Sequence, residues 1–422
     1  MGYSSGRLRS AGIWLRAGAA AALAFSLFAS AGCGSESHAA EGPAIDLNKL
    51  DTGSYQTKPQ DFVPKDPARA ARTTEALRLG DIMPLPMEID PALTHNDDGP
   101  HPFTGAEEAA IPALPGGNSF LNGLNYTDFT ANTAGFVAGF ATAAGSDADY
   151  GAAYHLTDAV MIFDSDHAAV SAAKALATSG FYQNPAQPNA RDATAVQSTI
   201  HPNAEVRWIP NEQFLASWYP VGTFVVLTIV SNSENRRLEQ SDLPGLLALS
   251  DKAIDVTTEK LTSFRPTRVD ELGSLPIDRD GMLRLTLPRP PGDTTADTFD
   301  GTLDRHGALQ TTNSDPATMA ALYDKNGVDA VSYGAGLLVR TRDGAAQSYL
   351  DAAYGSRFER RIDSPPGLPN ARCTKYHGPS AHAFPFACQV AHGRYVASVW
   401  SQQQQDVYQR IAAQYAILAN DK

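Results

Sequence analysis

The eight residues from Thr223 to Val230 read Thr-Phe-Val-Val-Leu-Thr-Ile-Val. Successive side chains of a strand point to opposite faces, so a strand here is apolar on both sides. Such a strand belongs in the middle of a sheet, covered by helix or by a second module. Phe214 to Tyr219 is also strand-like, and Pro220-Val221-Gly222 supplies the hairpin turn between the two. A long helix follows, from about Pro244 to Phe264, with Leu246, Leu247, Leu249, Ile254, Val256 and Leu261 forming its apolar stripe.

The same order of elements occurs twice. In the first half, Asp66-Pro67 opens a helix that runs to Leu79 and stops at Gly80. Ala153 to Phe163 reads as strand, and Asp164-Ser165-Asp166 caps a helix from His167 to Thr178. A short strand from Ala204 to Ile209 precedes the hairpin and the long helix. In the second half, Asp315-Pro316 opens a helix stopped by Gly327, Val331 to Thr341 is strand, and Gly344 to Ala353 is helix. Arg372 to Tyr376 is a short strand, Phe386 to Ala391 and Arg394 to Ser401 form a hairpin about His392-Gly393, and Gln404 to Leu418 closes as helix. Phe214 onward lies over Phe386 onward with one extra residue in the first turn, and Tyr154 to Ala173 lies over Tyr333 to Tyr349 in pattern.

This repetition predicts an α+β chain of two related modules made by internal duplication. Each is an antiparallel sheet covered on one face by helices. The expected domains are 61–265 and 301–422, joined by a linker at 266–300 rich in Pro, Arg and Asp, in which Met282 to Leu287 reads as strand. Residues 95–123, rich in Gly, Pro, Asn and Asp, should be largely irregular, and Thr127 to Ala144 weak strand or a short helix. A central strand that is apolar on both faces implies a substantial interface between the modules, with a groove there as the ligand site.

The N-terminus addresses location. Arg7, Arg9 and Arg16 precede an apolar run from Ala17 to Ala31, and no acidic residue interrupts them. That is the charge-then-apolar order of an export signal, in a run shorter than the ~20 residues that a membrane span needs. Ala31-Gly32-Cys33 then resembles a bacterial lipobox, in which the Cys33 thiol is acylated and the chain is cut just before it. Ser30 stands where Leu is usual. The plain alternative is ordinary signal-peptidase cleavage and a secreted protein. On the lipobox reading, residues 1–32 are signal and 33–60 a tether.

The formal net charge is −13, and removal of the three N-terminal arginines makes the mature chain more acidic still. An acidic exterior excludes nucleic acid as an expected partner and fits a body held off an anionic membrane. With Cys33 acylated, Cys373 and Cys388 remain, and outside the cytoplasm two such thiols should pair. A redox pair or half a metal site is the rival reading, although the spacing is not Cys-x-x-Cys.

The chain resembles a family of actinobacterial lipoproteins of unknown function, common in mycobacteria and nocardiae. The resemblance rests on Cys33, on Leu50-Asp51-Thr52-Gly53-Ser54-Tyr55, on Pro86-Met87-Glu88-Ile89-Asp90-Pro91, and on Gly393-Arg394-Tyr395-Val396-Ala397 followed by Ala412-Ala413-Gln414-Tyr415. It covers nearly all of the mature chain and implies location, a two-domain layout and the cystine, but no activity. In element order the chain is also similar to extracytoplasmic sensor domains of mycobacterial receptor kinases, an analogy of fold alone.

Motifs with chemistry are sparse. Ser171-Ala172-Ala173-Lys174 matches Ser-x-x-Lys, but inside a helix and without the partner motifs of penicillin-recognising enzymes. His95, Asp97, Asp98 and His101 are the densest ligand-capable cluster, but their spacing fits no standard metal site and Asn96-Asp97-Asp98-Gly99-Pro100 is also a normal turn. His377, His382 and His392 flank the cystine and read as loop residues before zinc ligands. Trp208, Trp218, Tyr219 and Trp400 could line a groove, though aromatics in strands are more often core. Asn125-Tyr126-Thr127 matches a glycosylation acceptor, of little meaning in a bacterium.

These observations lead to a lipid-anchored extracytoplasmic protein at the outer face of the cytoplasmic membrane, without cofactor and non-enzymatic. The anchor makes the membrane itself a partner. The inter-module groove would bind a small molecule, a lipid or an envelope protein. The alternative is an envelope hydrolase whose site is assembled from distant residues, with a carboxylate or hydroxyl in reach of a histidine.

Overall fold

The structure, a computed structural model, describes residues 45–96, 101–105, 124–125, 128–181, 193–290, 299–310, 312, 315–353, 357–378 and 383–421. Helices of eight or more residues are numbered here: α1 Pro67–Gly80, α2 Asp166–Ser179, α3 Leu243–Leu261, α4 Pro316–Asn326, α5 Ala346–Ala353 and α6 Gln404–Ala419. Local chemistry sets their starts. Asp66, Ser165, Asp242 and Asp315 each cap a first turn by accepting a backbone N–H, with proline in that turn of α1, α3 and α4.

Two antiparallel sheets carry the fold. The first contains β1 His95–Asn96, β2 His101–Phe103, β3 Phe136–Gly145, β4 Tyr154–Phe163, β5 Thr194–Val196, β6 Glu205–Ile209, β7 Phe214–Val221 and β8 Phe224–Asn232. The second contains β9 Gly301–Asp304, β10 Ala330–Tyr333, β11 Gly336–Arg340, β12 Glu359–Ile362, β13 Arg372–Tyr376, β14 Phe386–His392 and β15 Tyr395–Ser401. The strand order β3-β4-β8-β7-β6-β5 in the first matches β10-β11-β15-β14-β13-β12 in the second. In both, a helix follows the second strand (α2, α5) and a long helix follows the last (α3, α6). The repeat read from the sequence is therefore a repeat of topology.

Several expectations need correction. The segment read as one strand from Val331 to Thr341 is two, β10 and β11, paired antiparallel. The reversal needs close backbone approach: a Cβ on Gly334 would crowd the carbonyl of Leu287, and one on Gly336 the carbonyl of Ser398. The extra residue does not lie in the first hairpin turn. Val221 pairs with Phe224 and His392 with Tyr395, so both hairpins close on two residues. Counted from the turn, Ser217 then corresponds to Cys388. Met282–Leu285 is a short helix rather than strand; the stretch expected to be largely irregular carries two short strands, β1 and β2.

Helices cover both faces of each sheet, not one. In the first sheet, α2 packs with Met161, Phe163, Trp218 and Leu227 on one face, and α3 with Leu156, Val206, Leu215 and Val230 on the other. As its sequence requires, β8 is central, between β4 and β7. In the second sheet, α6 buries Cys373, Cys388, Val390 and Val399. The opposite face, through Val331, Tyr333, Val339 and Val396, shares one apolar cluster with Phe140, Val160 and Ile162 of the first sheet. Helix α1 contributes Leu77 and Leu79 to that cluster. Its close fit is visible at two glycines: a Cβ on Gly80 would enter the Phe140 ring, and one on Gly301 would meet Leu77.

Part of the stretch read as a tether is packed. Leu50 is buried in the second module's core, with Ile45, Leu47 and Tyr55 against it. Asp51 receives the side-chain amides of Gln405 (2.7 Å) and Gln409 (3.0 Å) from α6, and Thr57 O receives that of Asn420 (2.9 Å). The chain therefore straps the last helix before it enters α1. Much of the stretch read as a linker is also held down. Glu75, fully buried, accepts from Thr267 N–H (2.7 Å) and Oγ1 (2.8 Å), and Gln414 on α6 accepts from Leu287 N–H (2.6 Å) and donates to Leu285 O (2.8 Å).

Candidate functional site

A connected group of titratable side chains lies where the two halves meet. Asp81, just past α1, accepts the backbone N–H of Asp304 (2.8 Å) and an ion pair from Arg279, and its carbonyl faces Nδ1 of His306 (3.0 Å). His306 stands in a short helix capped by Asp304, whose carboxylate takes the N–H of Gly307 (2.9 Å). Its Nε2 faces Glu88 Oε2 (3.3 Å), which also accepts the N–H of Leu85 (2.8 Å). Lys260 of α3 completes the row, 3.5 Å from Glu88 Oε1.

Burial, with Asp304 adding to it, pushes Asp81 up to about 7 despite Arg279. Burial also works against Glu88, but hydrogen bonds from His306 and Leu85 outweigh it and hold the group at about 2. The hydrogen bond to Glu88 raises His306 above its ordinary value, against burial. Both ring nitrogens of His306 face acceptors, so only the doubly protonated ring donates to both. The ring thus braces the two modules, with both nitrogens engaged. Side-chain exposures of 28% for His306, 36% for Glu88 and 41% for Lys260 leave one side of the row open to solvent.

A second group has the residue types of a hydrolase in another wiring. Ser198 Oγ donates to Asp251 Oδ1 (2.7 Å) and accepts the N–H groups of Ile200 (3.1 Å) and His201 (2.9 Å). His201 Nε2 lies 3.1 Å from Asp255 Oδ1, and its ring rests 5.0 Å from that of Tyr219. The serine is buried and its proton goes to a carboxylate rather than to the imidazole, which is a loop clamp on α3. Neither this group nor the His306 row has a motif: their members meet from distant elements.

A third group crosses the first sheet beneath α3. Thr142, Asp158, Thr228 and Ser217 are successive cross-strand neighbours on β3, β4, β8 and β7, all buried. Thr257 donates to Asp158 Oδ2 (2.6 Å), and Thr228 and Ser250 share a bond of 2.6 Å. Asp158 Oδ1 and Ser217 Oγ have no partner among the described residues, and burial pushes Asp158 up to about 7. In the second sheet the positions matching Asp158, Thr228 and Ser217 are Gly336, Val399 and Cys388, none of them hydroxyl or carboxylate.

The other sequence candidates are dispersed. Cys33, Asp97, Asp98, His382, Tyr126 and Thr127 lie outside the described residues. His95 pairs with Gly145 and His101 with Ala141, four positions apart on β3. Among the described residues, no three metal-binding side chains gather. Ser171 and Lys174 are exposed on α2, His377 is exposed after β13, and the His392 ring sits 5.1 Å from that of Tyr415. Trp218 is core, Trp208 packs under α3, Trp400 stands on β15 opposite Ala387, and Asn125 donates its N–H to Gly180 O (2.9 Å). Cys373 and Cys388 are bonded, directly opposite on β13 and β14.

The fold defines a class: a fused pair of antiparallel α+β modules sharing one apolar cluster. The chain belongs to the DUF7373 family, matching its N-terminal domain of unknown function over residues 63–277 and its C-terminal domain over residues 282–421. No curated protein and no solved structure matches it. No described helix is long and apolar enough to cross a membrane.

Proposed function

We propose that this protein is an extracytoplasmic lipoprotein of the actinobacterial kind, held to the outer face of the cytoplasmic membrane by acyl groups on Cys33, that binds a small ligand or an envelope partner without catalysis. The observation that carries the binding reading is the half-open row Lys260–Glu88–His306, built from both modules at the rim of their shared apolar cluster. Ligand sites occur preferentially at domain interfaces, with a few charged groups beside apolar surface, and the row has that placement. The non-enzymatic reading is supported by wiring: His306 has both nitrogens committed, and the Ser198 hydroxyl is spent on Asp251. The paired cysteines and the acidic charge support an exported body.

Two measurements test this reading. Growth with an alkyne fatty acid should label the wild type and not Cys33→Ala; equal label in both removes the anchor. Native mass spectrometry of protein extracted from its own envelope should show an added noncovalent mass that Glu88→Gln and His306→Gln lose while remaining folded. A bare mass in the wild type ends the ligand reading.

A further inference from the structure

In a chain this acidic, most described arginines from residue 279 onward are neutralised, among them Arg279 by Asp81, Arg284 by Asp421, Arg340 by Asp280 and Asp329, Arg372 by Asp351, and Arg394 by Asp329. The edge of the second sheet is different. Strand β12 pairs only with β13, and carries Arg360 and Arg361, with Arg357 just before it. All three are exposed. Arg360 stands directly opposite Lys375 on β13. Among the described residues none of these four cations lies within ion-pair distance of a carboxylate. Their described partners are a backbone carbonyl for Arg360 (Arg357 O, 3.5 Å) and aromatic rings for Arg357 (Phe358, 4.5 Å) and Lys375 (Phe386, 5.2 Å).

Like charges directly opposite across strands are destabilising. Charged side chains on an edge strand also guard against pairing with another chain. That role does not account for Lys375, because β13 is already paired on both sides. An anionic surface outside the edge turns the repulsion into shared attraction.

The strap indicates which surface. The loop leaving β12 packs on the strap: Leu368 shares a core with Leu50, and Tyr408, beside the strap on α6, donates its hydroxyl to Asp363 O (2.5 Å). The cationic edge therefore adjoins the segment that follows the acylation site in sequence. We propose that the β12–β13 edge is a membrane-contacting surface that takes the phosphate headgroups of anionic lipid, with Glu359 and Asp363 the acidic residues that temper it. A basic patch is a common second membrane signal beside lipid anchors. Each cation near an anionic leaflet contributes about fivefold in occupancy.

The choice of membrane as partner rests on the anchor reading, so the test separates the two. Acylated protein purified from cells is reconstituted on phosphatidylcholine vesicles with or without phosphatidylglycerol, and hydrogen exchange is followed over residues 357–378. The expected result is attachment to both vesicle types, with added protection of this segment only on the anionic ones, lost as salt is raised. Arg360→Gln with Lys375→Gln should cut occupancy about 25-fold on the same scale and abolish the protection. Arg236→Gln with Arg237→Gln should keep it. Failure to attach to either vesicle refutes the anchor and leaves the edge to be read with soluble protein added to anionic vesicles. Attachment with equal exchange on both overturns the headgroup proposal alone. Protection by polyglutamate but not by anionic vesicles overturns it in favour of an acidic polypeptide.

Discussion

The hydroxyl of Tyr55 donates to Asp406 Oδ1 at 2.6 Å, joining residues 351 positions apart. Asp406 also accepts from Ser401 Oγ (2.5 Å) and Arg410 Nε (2.7 Å), and the Arg410 guanidinium lies 5.5 Å from the centre of the Tyr55 ring. Burial and the bond to Asp406 push the Tyr55 hydroxyl up to about 12. The strap is thus latched to the start of α6 by a charge-assisted hydrogen bond.

Tyr55→Phe should lower stability by about 1.5–3 kcal/mol, the usual range for a hydrogen bond to a charged group. Tyr55→Ala should cost more, since it also removes the ring from Arg410 and from the core. Urea unfolding followed by tryptophan fluorescence reads both, and an unchanged midpoint in Tyr55→Ala would mean that the latch is idle.

Gly53 gives an independent check on the strap. Its φ is +54°, and an added Cβ would come 2.7 Å from Gln409 Oε1. Gly53→Ala should speed hydrogen exchange in α6 before it changes exchange in the first sheet. Equal change in both sheets would contradict a local role.

Stability should peak in mild acid. Asp81 and Asp158 have folded values of about 7 against 3.8, so the stability they contribute is complete below 3.8 and is lost as pH rises through about 7. His306 is raised too: its contribution is full below 6.5 and is lost as pH rises past its folded value. Glu88 acts in the other sense, contributing above 4.5 and losing that as pH falls toward about 2. Unfolding free energy measured from pH 3 to 9 should therefore be highest near about pH 4–5 and decline toward pH 8. A maximum at pH 8 would contradict it.

Asp158→Asn should flatten the alkaline limb, because the amide cannot be forced to ionise in the core. At pH 8 the variant should match or exceed the wild type in unfolding free energy, and at pH 4 the two should be close. A pH profile parallel to that of the wild type would show that Asp158 does not titrate in this range.

Reducing the cystine, or making Cys373→Ala with Cys388→Ala, should cost about 3 kcal/mol for a loop of 15 residues. Thiol counting and urea unfolding with and without reductant measure it. No shift on full reduction would mean that the strand pairing alone holds β13 to β14.

Much of the fold was legible from short-range chemistry. The caps at Asp66, Ser165 and Asp315 stand where the sequence puts them, because capping involves residues two or three apart. The doubly apolar strand ending at Val230 is central, and the repeat survives as identical strand order. The break between Tyr333 and Gly336 was missed because it depends on the distant carbonyls of Leu287 and Ser398. His306 gave no signal, since Asp81 and Glu88 lie 225 and 218 positions away. The residues that mark the family resemblance also acquire reasons only in space: Asp51 and Tyr55 latch α6, Glu88 holds His306, and Gln414 clamps Leu285 and Leu287.

By itself the sequence determined the alternation of strands and helices, many of their starts, the repeated element order and the pairing of Cys373 with Cys388, because periodicity, capping and thiol count are local or compositional. Only the tertiary structure decided that residues 45–58 bind the last helix, that α1 and a shared apolar cluster fuse the modules, and that His306 and Asp158 sit where their charge is constrained. Those depend on which surfaces meet, and that is set by the burial of apolar area over the whole chain rather than by any one segment.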